Sequence, residues 1–202
     1  MQHVFGTKVK ITKMKSQEVK ETYVGFLRGI NVGGHHKVPM ADLKTALHKM
    51  GFENILTILN SGNIIFDATG ESSPNLEMTV SEHLEATFGF PIPTIIRTAE
   101  MIAGLLDSDP FKEVELTKDI RCYVSFLKKE VTTNLAFPWT SEDNSFRILD
   151  VKDQALISVV NLSIAGTIEA MKVLENHYGK GIITTRNWKT IERIGGKLNL
   201  SS

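Results

Sequence analysis

The sequence has little of what a secreted or membrane protein needs. Cys122 is the only cysteine among 202 residues, so an internal disulfide framework and a thiolate metal cluster are excluded. No apolar run has the roughly 18 to 20 residues with which a helix spans a bilayer. We therefore predict a soluble, cytoplasmic protein that has no membrane segment.

An excess of charge of one sign is also missing. Lysine plus arginine and aspartate plus glutamate each number 23, and this balance disfavours a nucleic-acid partner, which attracts basic proteins. Lysines are concentrated at the start of the chain, and we interpret residues 1–21 as a flexible basic N-terminal arm.

Recognisable catalytic and metal-binding motifs are absent as well. The sequence contains no GxSxG elbow and no pair of carboxylates with acid–base spacing. His35 and His36 are adjacent, so their side chains diverge, and no third ligand stands at metal spacing. We predict no metal and no cofactor, and the question of whether the protein is an enzyme stays open.

Hydrophobic periodicity predicts two similar halves. In the first half, residues 22–115, the order is strand, helix, strand, strand, helix, strand and then an added helix, which Thr98 can cap. The predicted strands are Tyr23–Leu27, Ile55–Leu59, Ile64–Phe66 and Pro93–Arg97. This order is that of a ferredoxin-like βαββαβ unit.

The second half, residues 116–202, repeats the order with weaker signals. Its predicted elements are strands at Ile120–Leu127, Phe146–Leu149, Ala155–Val160 and Gly181–Thr184, and helical segments at Val131–Ala136, Thr167–Tyr178 and Trp188–Ile194. Gly195 and Gly196 are expected to end the last helix. The predicted fold class is α+β, with two ferredoxin-like subdomains that each have an antiparallel sheet and an added helix. The two sheets either pack as a pair or join edge to edge.

A glycine-rich stretch, Arg28–Lys37, follows the first strand and precedes a helix that begins near Pro39. In a βαββαβ unit the first two strands run in the same direction, so this stretch and the hairpin at 60–63 should be neighbours. Amides of a glycine-rich loop and a helix N-terminus can hold an anion. The predicted ligand-binding residues here are Arg28, Asn31, Gly33, Gly34, His36, Lys37, Asn60, Ser61 and Asn63. Alternatively, the glycines only permit a tight chain crossing.

A P-loop is not predicted, although Gly29 and Gly34 have its glycine spacing. The lysine and hydroxyl residue that follow in a P-loop are replaced by His35 and His36, so the phosphate-binding ammonium and the magnesium ligand are both missing. We therefore expect no NTP hydrolysis.

A second polar cluster, residues 184–190, runs from the last predicted strand into the last helix. Thr185 or Asn187 can cap this helix, and its remaining free N–H groups then lie beside Arg186 and Lys189. The cluster adds Arg186, Asn187 and Lys189 to the predicted ligand-binding residues. The alternative is a simple helix cap next to a buried Trp188 that anchors the helix.

Six short runs of this sequence, taken together, are characteristic of a protein family. They are residues 23–34, Lys37-Val38-Pro39-Met40, Ser61-Gly62-Asn63, Arg97-Thr98, Asp109-Pro110-Phe111 and residues 185–190. In this order the chain, from about Thr22 onward, resembles the bacterial domain of unknown function 1697 family. The resemblance implies two ferredoxin-like subdomains and a set of signature positions, and it implies no activity.

Three functional hypotheses follow. The first is a protein that binds a small anionic ligand, bearing a phosphate or carboxylate, at the glycine-rich stretch. The second is an RNA-binding module in which Tyr23 or Phe26 and Phe66 stack on bases, although the basic-glycine-aromatic strand signature of such modules is missing. The third is a protein-interaction scaffold that forms a homodimer through a free sheet face or edge.

Overall fold

Two antiparallel sheets, one from each half of the chain, form the α+β structure of this protein. The structure is a computed structural model and describes residues 20–129, 136–179 and 183–198. The first half contains β1 (Lys20–Leu27), α1 (Met40–Lys49), β2 (Glu53–Ile58), β3 (Asn63–Thr69), α2 (Ser73–Phe88), β4 (Thr94–Thr98) and α3 (Ala99–Asp107). The second half contains β5 (Ile120–Leu127), β6 (Trp139–Thr140), β7 (Phe146–Lys152), β8 (Ala155–Asn161), α4 (Thr167–Tyr178), β9 (Ile183–Asn187) and α5 (Trp188–Leu198).

The strand order brings the glycine-rich stretch next to the hairpin between β2 and β3. The first sheet has the order β2-β3-β1-β4, and β1 and β2 are both antiparallel to β3. They therefore run in the same direction, and the segments that follow them leave the sheet at the same end. The second sheet has the order β6-β7-β8-β5-β9, in which β6 is an additional edge strand.

Alternation of apolar residues along β1 decides how the sheets pack. Tyr23 and Leu27 point to the core under α1 and α2, whereas Val24 and Phe26 point to a core shared with the second sheet. The Phe26 and Phe126 rings stack there with centroids 4.2 Å apart. The two sheets thus pack face to face and do not join edge to edge. A third core lies between the second sheet and α4.

Several boundaries differ from the sequence-based expectation. Lys20 and Glu21 belong to β1 and pair with β3, so the predicted arm is too long by these two residues, and residues 1–19 lie outside the described part. Strand β9 continues to Asn187, further than predicted. Most of the helical segment predicted at 131–136 lies outside the described residues. Strand β6, beside Pro138, shows no periodicity in the sequence.

The prediction that two glycines end the last helix is wrong. Helix α5 continues through Gly195 and Gly196 to Leu198. Gly195 is buried against α3, and a Cβ atom at this position would overlap the Leu106 side chain. This glycine therefore lies where two helices approach closely and does not end the helix.

Candidate functional site

Asn31 joins the glycine-rich stretch, residues 28–37, to the neighbouring hairpin. Its side-chain Nδ2 donates to the carbonyl oxygens of Asn60, at 2.9 Å, and Val38, at 3.0 Å. Its Oδ1 accepts from the Val38 N–H at 2.8 Å. The amide of Asn31 is therefore committed to the protein's own contacts. Its role is to hold the two segments together.

The backbone of the same stretch contains five residues with positive φ, namely Gly29, Asn31, Gly33, Gly34 and His36. Two internal hydrogen bonds close it, from the Asn31 N–H to His36 O and from the His35 N–H to Val32 O. Within the described ranges, the amides of Gly33 and Gly34 donate to no protein acceptor. The His36 ring stacks on Phe90, with centroids 4.3 Å apart.

Arg186 connects the second half of the molecule to the first. From β9, its Nε donates to the Asn63 Oδ1 at 2.5 Å, and its Nη2 donates to the Leu27 carbonyl oxygen at 2.7 Å. Its Nη1 donates to the Thr184 Oγ1 and to the Thr185 carbonyl oxygen, both at 2.9 Å. Asn63 is fully buried, so its side chain positions Arg186 and is not free to contact a ligand.

Arg186 is a cation without an anionic neighbour. Every acceptor named above is a neutral oxygen, and none of the ion pairs within the described ranges includes this guanidinium. Burial lowers the pKa of Arg186 to about 10, so the side chain stays charged at neutral pH. Its Nη2 also has longer contacts with the carbonyl oxygens of Ser61 and Gly62, at 3.4 and 3.5 Å, and the guanidinium lies 5.5 Å from the centroid of the Phe26 ring. The positive charge is therefore balanced by dipoles and an aromatic face and not by a carboxylate.

A cleft of about 420 Å³ lies beside this cation, between the glycine-rich stretch and the β9–α4 region. We call it the Arg186 cleft. Arg28 and Glu175 form an ion pair across it, with Nη2 and Oε1 2.7 Å apart, and about a third of each side chain is exposed. The polar residues on its wall are Arg28, Ser61, Glu175, Thr184, Thr185, Arg186, Asn187 and Thr190.

The remaining predicted residues are divided between this cleft and other surfaces. Asn31, Gly34, Lys37 and Asn60 line a separate depression of about 520 Å³ at the start of α1. Gly33 is exposed and lines neither cleft, and His36 lines neither. Lys189 is also exposed, and its N–H donates to the Asn187 Oδ1 at 3.0 Å, so Asn187 caps α5 as predicted. The single rim expected from the sequence is thus two surfaces.

The described part of the chain offers no support for a metal centre or a membrane span. It contains no group of three or more His, Cys, Asp or Glu residues that could hold a metal ion. None of its helices has the length and apolar character needed to cross a bilayer. The aromatic residues considered for base stacking, Tyr23, Phe26 and Phe66, are all buried in cores, so neither sheet presents them to an RNA.

Comparison with known proteins places these features in a family. The family model described as "Protein of unknown function (DUF1697)" matches residues 20–156, which include the glycine-rich stretch and the hairpin. The chain belongs to this family. Among solved structures, a conserved bacterial protein from Streptococcus pneumoniae is similar with a TM-score of 0.62 and 23% sequence identity, over 89% of this chain and 99% of that one. No curated protein matches significantly.

In this DUF1697 chain, the most informative residue that sequence reasoning named only as part of a signature run, and not as a site candidate, is Arg97. It occupies in β4 the place that Arg186 occupies in β9, since they pair with Val24 and Val124 at corresponding positions. Its Nη2 donates to the Leu127 carbonyl oxygen and to Gln154 Oε1. The signal was present in the sequence, because an arginine stands just before the added helix in both halves.

Glu175 and Thr190, which line the Arg186 cleft, were also missed. Their helices are predicted correctly, and Thr190 ends the polar cluster at residues 184–190, but neither residue was named as a ligand-binding candidate. Both residues belong to the same half as Arg186, on α4 and α5. Arg28, the partner of Glu175, comes from the first half, so its place in the cleft depends on the face-to-face packing that periodicity did not decide.

Proposed function

We propose that the Arg186 cleft binds a small anionic ligand that bears a phosphate or carboxylate group. The observation that carries this proposal is the cation without an anionic neighbour on the wall of a solvent-accessible cleft. Each nitrogen of this guanidinium already donates to protein oxygens, so a bound anion would balance its charge through space, over a short distance and in a low local dielectric.

Further donors surround the same space. Arg28 uses only Nη2 in its pair with Glu175, so its other N–H groups are available to a ligand. The hydroxyls of Ser61 and Thr190 line the cleft, and α5 begins beside it. The N-terminal end of an 11-residue helix adds a partial positive charge.

We also propose that each sheet with its helices is a ferredoxin-like unit, divided near residue 115 as the sequence predicts. The support is the strand order, which is the same in both sheets once β6 is set aside. A helix follows the last strand of each unit, α3 after β4 and α5 after β9. The binding cleft then lies between two duplicated units, a common place for small-molecule sites.

Thermal unfolding in the presence of inorganic phosphate, acetate and dicarboxylates tests the binding proposal. A ligand at 100 times its dissociation constant stabilises the folded state by roughly 2.7 kcal/mol, which raises the melting temperature by several degrees in a protein of this size. Arg28→Gln should weaken binding about tenfold, because it removes a charged donor.

The matched control is Lys128→Gln. Lys128 is exposed and follows β5 as Arg28 follows β1. The Lys128→Gln variant should bind these anions as the wild-type chain does. Absence of any shift at millimolar concentrations of all these anions, or equal weakening by both variants, would refute a localised anion site.

A further inference from the structure

We infer that the ligand of the Arg186 cleft is zwitterionic, with a cationic nitrogen that binds Glu175 in addition to its anionic groups. This inference rests on the proposed function, and it narrows the ligand to the class of amino acids with an acidic side chain. Among the described residues, Glu175 is the one carboxylate on the wall of this cleft, which the cations Arg28 and Arg186 also line.

Glu175 has the geometry of a recognition group. Its Oε1 accepts from Arg28 Nη2, while Oε2 accepts from no protein donor within the described ranges. About a third of the side chain is exposed, on the cleft side of α4. Glu175 and Arg28 thus both line the cleft, and each keeps polar atoms that their mutual hydrogen bond does not use.

A carboxylate that only neutralises an arginine is placed differently in this protein. Glu77 pairs with Arg97 at 3.1 Å, its side chain is 4% exposed, and its Oε1 also accepts from the Ile96 N–H. That carboxylate is enclosed by its partners. Glu175 instead pairs with the more exposed Arg28 and leaves Arg186, the buried cation, without a counterion.

The charges of the cleft fix the ligand class. Two guanidiniums and one carboxylate line it, and Arg28 and Glu175 already pair at 2.7 Å, so the wall carries one net positive charge. A ligand with two anionic groups and one cationic group has the opposite net charge and offers each of the three side chains a group of opposite sign. A purely anionic ligand would place like charge next to Glu175, which is unfavourable at close range. An ammonium group at that position converts the repulsion into a charged hydrogen bond.

Isothermal titration of the full chain with L-glutamate and glutarate tests this inference, because these two molecules differ only in the ammonium group. L-Glutamate should bind about tenfold more tightly than glutarate, the ratio expected from one charged hydrogen bond. Glu175→Gln should abolish or invert that preference. This substitution removes the carboxylate that would bind the ammonium group of L-glutamate. It also removes the repulsion between that carboxylate and glutarate.

Glu169→Gln is the matched control, since Glu169 lies on the same helix, is exposed and lies outside the cleft. It should keep the wild-type preference. The comparison of the two ligands on the wild-type chain needs no variant, so it stands even if Glu175→Gln misfolds.

The outcomes separate the two proposals. Glutarate binding as tightly as L-glutamate, and weakened by Arg28→Gln, would overturn the zwitterion inference and leave the anion site intact. Equal loss of preference in Glu169→Gln would also overturn the inference. Absence of binding by L-glutamate, glutarate and inorganic phosphate alike would overturn the anion site and the inference with it.

Discussion

Arg97 and Arg186 occupy corresponding positions in the two halves, and each donates to the carbonyl oxygen at the end of the other half's central strand. They differ in how their charge is balanced. Arg97 has the buried carboxylate of Glu77, whereas Arg186 has only neutral acceptors and lies on an open cleft. The same cross-contact is therefore accompanied by a buried carboxylate in the first half and by neutral acceptors in the second.

The hairpins beside these arginines differ in a similar way. Gly62 and Gln154 occupy equivalent turns, and the carbonyl oxygen of each accepts from the N–H of the neighbouring leucine, Leu27 or Leu127. Both have positive φ. The turn next to Arg186 is a glycine packed tightly against Leu27 and Ile30, whereas the turn next to Arg97 accommodates a long side chain.

The largest expected effect on stability comes from breaking the ion pair between Glu77 and Arg97. Glu77→Ala leaves Arg97 buried without its carboxylate and removes the acceptor of the Ile96 N–H. Burial already lowers the pKa of Arg97, a sign that its charge is costly there. We expect the free energy of unfolding to fall by about 3–5 kcal/mol in urea denaturation.

The control for this variant is Glu82→Gln, an exposed position on the same helix, for which we expect a change below about 0.5 kcal/mol. Replacing both partners, in Glu77→Gln with Arg97→Met, should recover part of the loss because no buried charge remains. A double variant no more stable than Glu77→Ala would show that the pair is not the dominant interaction.

An intermediate effect on stability is expected at the turns that contain Gly62 and Gln154. A Cβ at Gly62 would lie 2.8 Å from Leu27 Cβ, in a backbone conformation with φ of 78°, so Gly62→Ala should cost about 1–3 kcal/mol. Gln154→Gly relieves backbone strain and loses one contact to Arg97, so its net effect should stay within about 0.5 kcal/mol. Chemical denaturation of both variants measures the difference, and equal losses would contradict this account of the turns.

The smallest effect concerns the β6–β7 hairpin, which has no counterpart in the first half. Hydrogen bonds from Ser141 and Ser145 hold the pKa of Asp143 below its ordinary value of 3.8. The contribution of this carboxylate is therefore present above that value and is lost as the pH falls through the lowered pKa. Acid titration followed by the NMR signal of the Ser145 amide should show this loss, and Asp143→Asn should remove it.

Local patterns were sufficient to predict much of the fold. The neighbourhood of the glycine-rich stretch and the β2–β3 hairpin follows from the order of elements alone, because that order fixes which strands run in the same direction. The caps of α3 by Thr98 and α5 by Asn187 follow from side-chain chemistry at the helix start. These features depend on contacts close in sequence or on sheet topology.

The composition of the cleft was harder to predict. Arg186 was named as a candidate, but its contacts with Leu27 and Asn63 depend on the face-to-face packing of the two sheets. Asn31 and Asn63 were predicted to bind a ligand, and the structure uses both side chains internally. A polar residue in a signature run can thus be needed to position another one, and sequence spacing does not separate these two roles.

The position of Arg186 along the chain has one further consequence. The segment matched by the family model ends at residue 156, before β9 and α5 begin. Arg186 therefore lies outside the matched part of the chain, whereas Leu27 and Asn63, which it contacts, lie inside it. One side of this contact between the two sheets can thus change in a relative without weakening the match by which membership is recognised.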